Sequence, residues 1–187
     1  NRLREFLIAS LRHSRSEMEI HMNTTDNLEQ FLPILRTSSI FSGMSDSEIL
    51  SVLHCMGAFV SDKEKDSYLL RAGDMTSTMG LLLSGSAIVI QEDVWGHRNI
   101  MAQILPGQTF AEPFAASNGT ALNISVVVTK DCSLLYLDIH RILGVCPSAC
   151  EHHTHLIQNL ISVLAKKLLL FNEKITHMSK RTTKEKL

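Results

Sequence analysis

Between Cys146 and His155 the chain concentrates side chains that bind metals or do thiol chemistry: Cys146, Cys150, His152, His153 and His155. Cys150 and His153 are spaced as neighbours on one face of a helix, and Cys146 can fold back from the preceding turn. Such a set can hold zinc or iron. It can also form a thiol pair at a helix N-terminus, where the dipole lowers a cysteine's pKa. The alternative is packing, with two small apolar cysteines and three histidines along a polar face. Cys146, Cys150 and His153 are thus candidate ligands of a metal, redox or haem sensor, beside a reading with no metal. A four-cysteine cluster would need Cys55 and Cys132 from distant segments.

Other chemistry is sparse. A jelly-roll metalloenzyme needs two or three histidines and a carboxylate converging from strands, but His97 is the only histidine between Ala58 and Asp138. No Ser-His-Asp or Cys-His arrangement with supporting motifs stands out, so the chain is expected not to be an enzyme. Its 18 Lys+Arg against 19 Asp+Glu give a formal net charge of −1, which disfavours DNA binding by this chain alone. No run of about 18 apolar residues occurs, and Arg2, Arg4, Arg12 and Arg15 interrupt the apolar start. A cytoplasmic protein without membrane contact is expected, its four cysteines remaining thiols.

The elements that must position these residues are legible from period and punctuation. Residues 1–22 read as an arm, native or appended. Leu28, Phe31, Leu32 and Leu35 are spaced for a short helix interrupted at Pro33. Ser45 to Glu48 offers a capping box for a helix through Met56, stopped at Gly57. Strands are predicted at Tyr68–Leu70, Gly80–Leu83, Ala87–Gln91, Ile100–Ile104, Ile124–Thr129 and Ser133–Leu137. Gly73, Gly85, Gly96 and Gly107 punctuate them at intervals of eleven or twelve residues, which argues for an antiparallel β-roll or jelly roll. Trp95 falls at a hairpin tip, as a flap touching the helix or a partner, or as cover for a core edge.

After Pro147 the period changes to that of a heptad seam: Ile157, Ile161, Leu164, Leu168, Phe171, Ile175 and Met178. A second stripe, Leu156, Leu160, Val163 and Leu170, lies to one side. Two apolar faces exceed what docking on one surface requires, so one is expected on the β-domain and the seam on a second copy. The other reading is a single long core helix.

Within this frame five pieces resemble the catabolite-activator/fumarate-nitrate-regulator (CRP/FNR) family of bacterial transcription regulators. They are Ile40-Phe41 with Gly43-Met44-Ser45, Leu69 to Asp74, Leu82 to Gly85, Gly107 to Glu112, and Ser179 to Leu187. The resemblance implies a mainly β fold with flanking helices: a cyclic-nucleotide-binding-like sensor over residues 23–145 and a dimerisation helix over 146–178. Residues 179–187 then look like the hinge and opening of a helix-turn-helix DNA-binding domain that is absent from this chain. It also implies a homodimer, a small-molecule effector, and DNA as partner of that further domain. The alternative is a cyclic-nucleotide-type regulatory module of another signalling protein.

The resemblance places the effector pocket at Phe110, Ala111, Glu112 and Pro113 with Leu122, Asn123, Ile124 and Ser125. In cyclic-nucleotide binders of the family a Phe-Gly-Glu turn and a downstream Arg-Ser/Thr pair clamp the ligand. Here Glu112 matches the acid that takes the ribose hydroxyl, Ala111 replaces the glycine, and Leu122 and Asn123 fall where the arginine and hydroxyl belong. With no Lys or Arg from Ala115 to Val128, a buried phosphate would lack its counter-charge. The expected effector is therefore a small molecule other than cyclic AMP, with Glu112, Asn123 and Ser125 as its polar contacts; otherwise Glu112 only satisfies loop amides in a vestigial pocket. No cofactor is identified.

Overall fold

The computed structural model describes residues 28–144, except Val94 and Asn118, and residues 151–184. Residues 1–22, Cys146 and Cys150, and the hinge residues 185–187 lie outside the described residues, and so do the side chains of Ile175 and Met178.

A one-turn 3-10 segment, Glu29–Phe31, leads into α1 (Leu32–Leu35). Pro33 sits in its first turn, where a missing N–H costs nothing, so the short helix absorbs it. After the 3-10 turn Ser39–Phe41 comes α2 (Asp46–Cys55). The Glu48 carboxylate accepts from the Ser45 amide and hydroxyl at 2.7 Å each, closing the predicted capping box. Arg36 grips Asp46 through two side-chain bonds, one of 2.7 Å, and ties α1 to the start of α2.

Eight strands follow: β1 (Phe59–Lys63), β2 (Tyr68–Leu70), β3 (Thr78–Leu82), β4 (Ser86–Glu92), β5 (Arg98–Ile104), β6 (Thr109–Phe110), β7 (Ser125–Lys130) and β8 (Cys132–Asp138). They form two antiparallel four-stranded sheets, ordered β1-β8-β3-β6 and β2-β7-β4-β5. The six predicted strands are all present. β1 and β6 are additions, the first only partly buried and the second two residues long. α3 (Glu112–Ala115) interrupts the strands and α4 (Ile139–Leu143) follows them.

The first sheet is covered on both faces, and the two-residue pleat sorts its side chains. Met79, Leu81, Leu83, Leu135 and Leu137 face the helices with Leu35, Ile40, Phe41, Ile49 and Leu53. Leu82, Leu134 and Cys132 point the other way, toward Ala87, Ile104, Val126 and Val128 of the second sheet. Gly85 turns β3 into β4 at φ +81, where a Cβ would press on Cys132, so both the conformation and the close approach require glycine there.

α5 (Glu151–Lys184) is a 34-residue helix. Its first turns dock on the helical side of the roll: Leu156 and Leu160 are 0% and 2% exposed, and Asn159 donates to the carbonyls of Ile40 and Ser42 at 3.0 and 2.9 Å.

Candidate effector site

The turn expected to bind ligand is positioned by a glycine on another strand. Phe110 pairs with Gly80 across β6 and β3, and the ring lies where a Gly80 Cβ would stand. Buried at 4% exposure, Phe110 anchors the next residue, Ala111, in the left-handed region at φ 68. A glycine would adopt this without strain, whereas alanine does so at a cost of about 1–2 kcal/mol. Alanine here thus holds a conformation that glycine would adopt freely.

Glu112 opens α3 and is 1% exposed. Its partner comes from 55 residues further along: the Lys167 ammonium of α5 lies 2.7 Å from Oε1 and 2.9 Å from Oε2, and donates to the Thr109 carbonyl at 2.6 Å. Three donors thus meet three acceptors, so the ammonium is saturated and both carboxylate oxygens are engaged. The local sequence contains no cation, but the fold supplies one from the long helix. Lys167 continues the buried stripe Leu156, Leu160, Val163 by four residues, and a lysine at that place in an apolar row was the signal available in the sequence.

The second half of the expected pocket is differently built. Leu122, where the resemblance leads one to expect the clamp arginine, is 3% exposed, and its amide and carbonyl pair with Asp74 and Gly73 at 2.8 Å. Ser125 accepts from the Ala72 amide at 2.9 Å. Asn123 is exposed and Ile124 half-buried, while Pro113 is exposed at the rim. Arg71, on the loop paired with this segment, holds its guanidinium over the Tyr68 ring, 4.0 Å from the centroid. Phe110, Ala111, Glu112 and Leu122 are thus each buried, whereas the Ser125 hydroxyl serves the backbone.

The cluster at the start of α5 is seen in part. His153 is 6% exposed and its Nδ1 meets no partner among the described residues. His152 Nδ1 lies 3.2 Å from Glu48 Oε1, and Gly43 abuts the His155 ring. The Ser45 bonds hold Glu48 below the usual carboxylate range. Among the described residues no group of three His, Cys, Asp or Glu side chains is arranged to hold a metal. Burial raises the Cys132 thiol pKa, with nearby Asp62 and Asp131 adding to the shift.

On α5, Ile157 and Leu164 of the expected seam pack against the main core. Ile161, Leu168 and Phe171 are 61%, 62% and 53% exposed, and Leu170 of the second stripe is 58% exposed because the roll ends before it. Trp95, at the hairpin tip, is 80% exposed and covers no core edge. Asp93 braces that tip, accepting from the amides of Trp95 and His97 at 2.9 Å each. No described helix is long and apolar enough to cross a membrane.

Residues 62–148 match the family model of the cyclic nucleotide-binding domain. No curated protein matches the chain at the significance required. Among solved structures, a cyclic nucleotide-binding domain from Methylobacillus flagellatus superposes with a TM-score of 0.69 at 17% identity, over 82% of this chain and 85% of that one. The Thermus thermophilus catabolite activator protein gives 0.65 at 20% identity, over 76% of this chain and 63% of that one. The c-di-GMP responsive global regulator CLP of Xanthomonas campestris gives 0.61 at 16% identity, over 72% and 65%. The chain thus spans somewhat under two thirds of the length of the last two, 63% and 65%. Over residues 62–148 the chain thus resembles a cyclic nucleotide-binding domain, it has the β-roll architecture, and the solved structures it is similar to include a catabolite activator protein and a global regulator.

Proposed function

We propose that the chain is the effector-sensing and dimerisation region of a CRP/FNR-like transcription regulator. In this reading residues 23–145 form the sensor and 146–178 the dimerisation helix, with 179–187 the hinge toward a helix-turn-helix domain that reads DNA. The observation that carries the reading is the division of α5: Leu156, Leu160 and Val163 are buried in the domain, while Ile161, Leu168 and Phe171 stand 53–62% exposed along the same helix. An apolar row of that kind on a monomer is a cost unless a partner covers it, and a parallel second copy presents the complementary row. Ile175 and Met178 would extend the seam. Trp95, Ile100 and Met101 on the β4–β5 hairpin are further exposed apolar side chains.

The effector we infer is a small molecule other than cyclic AMP. Leu122 supplies no charge where a cyclic phosphate would need one, and both oxygens of Glu112 are engaged by Lys167. A buried phosphate without a counter-charge is costly.

Sedimentation velocity of the wild type and of the double variant Leu168→Glu, Phe171→Glu tests the dimer. The wild type should sediment as a dimer and the variant as a folded monomer. A monomeric wild type, or a variant that remains dimeric, would sink the seam.

A further inference from the structure

Lys167 is the last side chain of α5 that the roll holds among the described residues: Val163, one turn earlier, is 7% exposed, and Leu168 to Phe171 are 53–63% exposed. Its grip is confined to the effector turn, on Glu112 and the Thr109 carbonyl. The two ends of the pair differ in kind. Glu112 is 1% exposed at its side chain, whereas Lys167 is 36% exposed and can turn to water. A carboxylate buried that deeply is stable only with donors around it, so whatever displaces the ammonium must replace its hydrogen bonds.

Resting on the sensor reading above, we propose that Lys167 is a built-in surrogate ligand. Its ammonium fills the donor position at Glu112, latching α5 to the pocket turn, and the effector displaces it. The chemistry at Glu112 defines the class of effector: a group rich in donors, such as a vicinal diol or an ammonium, takes over the carboxylate. An effector presenting an anion there leaves Glu112 facing a like charge and is rejected. The same exchange frees the Lys167 side chain, so occupation of the pocket and release of the distal half of α5 are one event. The coupling requires no further path, because the Lys167 ammonium bonds directly to the turn through Glu112 and the Thr109 carbonyl.

Hydrogen exchange on the ligand-free chain tests the latch, comparing wild type, Lys167→Met, Glu112→Gln and the double variant. The readouts are the turn amides of Ala115 and Ala116, which bond to the carbonyls of Ala111 and Glu112, and the amides of residues 164–173. Lys167→Met strands the buried carboxylate and should speed exchange at both places by about tenfold or more. Glu112→Gln should loosen the helix similarly and the turn less, and the double variant should be no worse than Glu112→Gln. Should Lys167→Met fail to fold, Glu112→Gln carries the comparison, because the amide keeps the carboxylate's shape and the lysine turns to solvent. Unchanged exchange, or a rise at only one of the two places, overturns the latch. Sedimentation of the same samples separates the two ideas: a monomer overturns the dimer reading and leaves the exchange result standing.

Discussion

Replacing Gly80 by alanine tests whether the effector turn hangs from β3. Gly80 has ordinary strand torsions, so the backbone accepts an alanine, and the obstacle is the Phe110 ring alone. A Cβ there would lie 2.8 Å from Cε2 and closer still to Cζ and Cε1. Phe110 is 4% exposed and Leu82, Val126 and Leu134 of the same cluster are fully buried, so the ring has nowhere to retreat without opening the inter-sheet core. Overpacking of this kind costs about 1–3 kcal/mol. At about 2–4 °C per kcal/mol for a chain of this size, Gly80→Ala should lower Tm by about 2–12 °C. Phe110→Leu makes room for the new methyl, so combining it with Gly80→Ala should restore at least about 1 kcal/mol relative to additivity. The assay is thermal unfolding followed by circular dichroism for the four members of the cycle. Additive effects would refute the contact and, with it, the account of how Ala111 and Glu112 are placed.

Leu160→Ala removes a 2% exposed core side chain and should cost about 2–5 kcal/mol in thermal unfolding, whereas Leu168→Ala, at 62% exposure, should change stability by less than about 0.5 kcal/mol when both are measured in a Phe171→Glu background that keeps the chain monomeric; equal losses there would refute the two-faced helix. Cyclic AMP in large excess should leave Tm unchanged, because a ligand at a hundred times its Kd would add about 2.7 kcal/mol, a shift easily seen. Asp46 and Glu48 have folded pKa values below their ordinary ones, Asp46 through the Arg36 hydrogen bond and Glu48 through Ser45. Their stabilisation is present above the ordinary carboxylate range and is lost as pH falls through the depressed values. Asp46→Asn should therefore flatten part of the acid limb of the Tm profile, and an unaltered limb would show that Arg36 contributes nothing. His153→Leu removes a buried ring nitrogen that lacks a partner among the described residues and should hold or raise stability; a loss of more than about 1 kcal/mol in thermal unfolding would mean that the ring makes a polar contact worth keeping.

Elements with strong local signals were readable from the sequence. The capping box at Ser45 and the heptad spacing of α5 each draw on residues a few positions apart, and the evenly spaced glycines marked the strands. β1 was not readable, because Ser61, Asp62 and Lys63 make Phe59–Lys63 resemble a polar loop, and pairing with β8 overrides that local bias. β6 is too short to show a period and is defined by its pairing with β3, Phe110 to Gly80 and Thr109 to Leu81. In the site, Glu112 was visible and its partner was not. Searching for cations near Glu112 in the chain could not reach Lys167, since the pair closes a loop of 55 residues. Ala111 gives the complementary case: the sequence shows an alanine where the resemblance places a glycine, and only the surrounding packing reveals that it adopts the left-handed region.

The length of α5 has a mechanical consequence. Its 34 residues run about 51 Å, and the stretch from Lys167 to Lys184 accounts for about 26 Å of that. The helix is thus a lever pivoted near its midpoint, with one arm of about 24 Å docked on the roll and the other, of about 26 Å, beyond it. A tilt of about 5° at the pivot would swing the far end by about 2 Å, a displacement of the size by which helices shift when subunit interfaces repack. A swing of this kind comes from rigid length alone, and a tilt set at one lysine is carried undiminished to the far end of the helix.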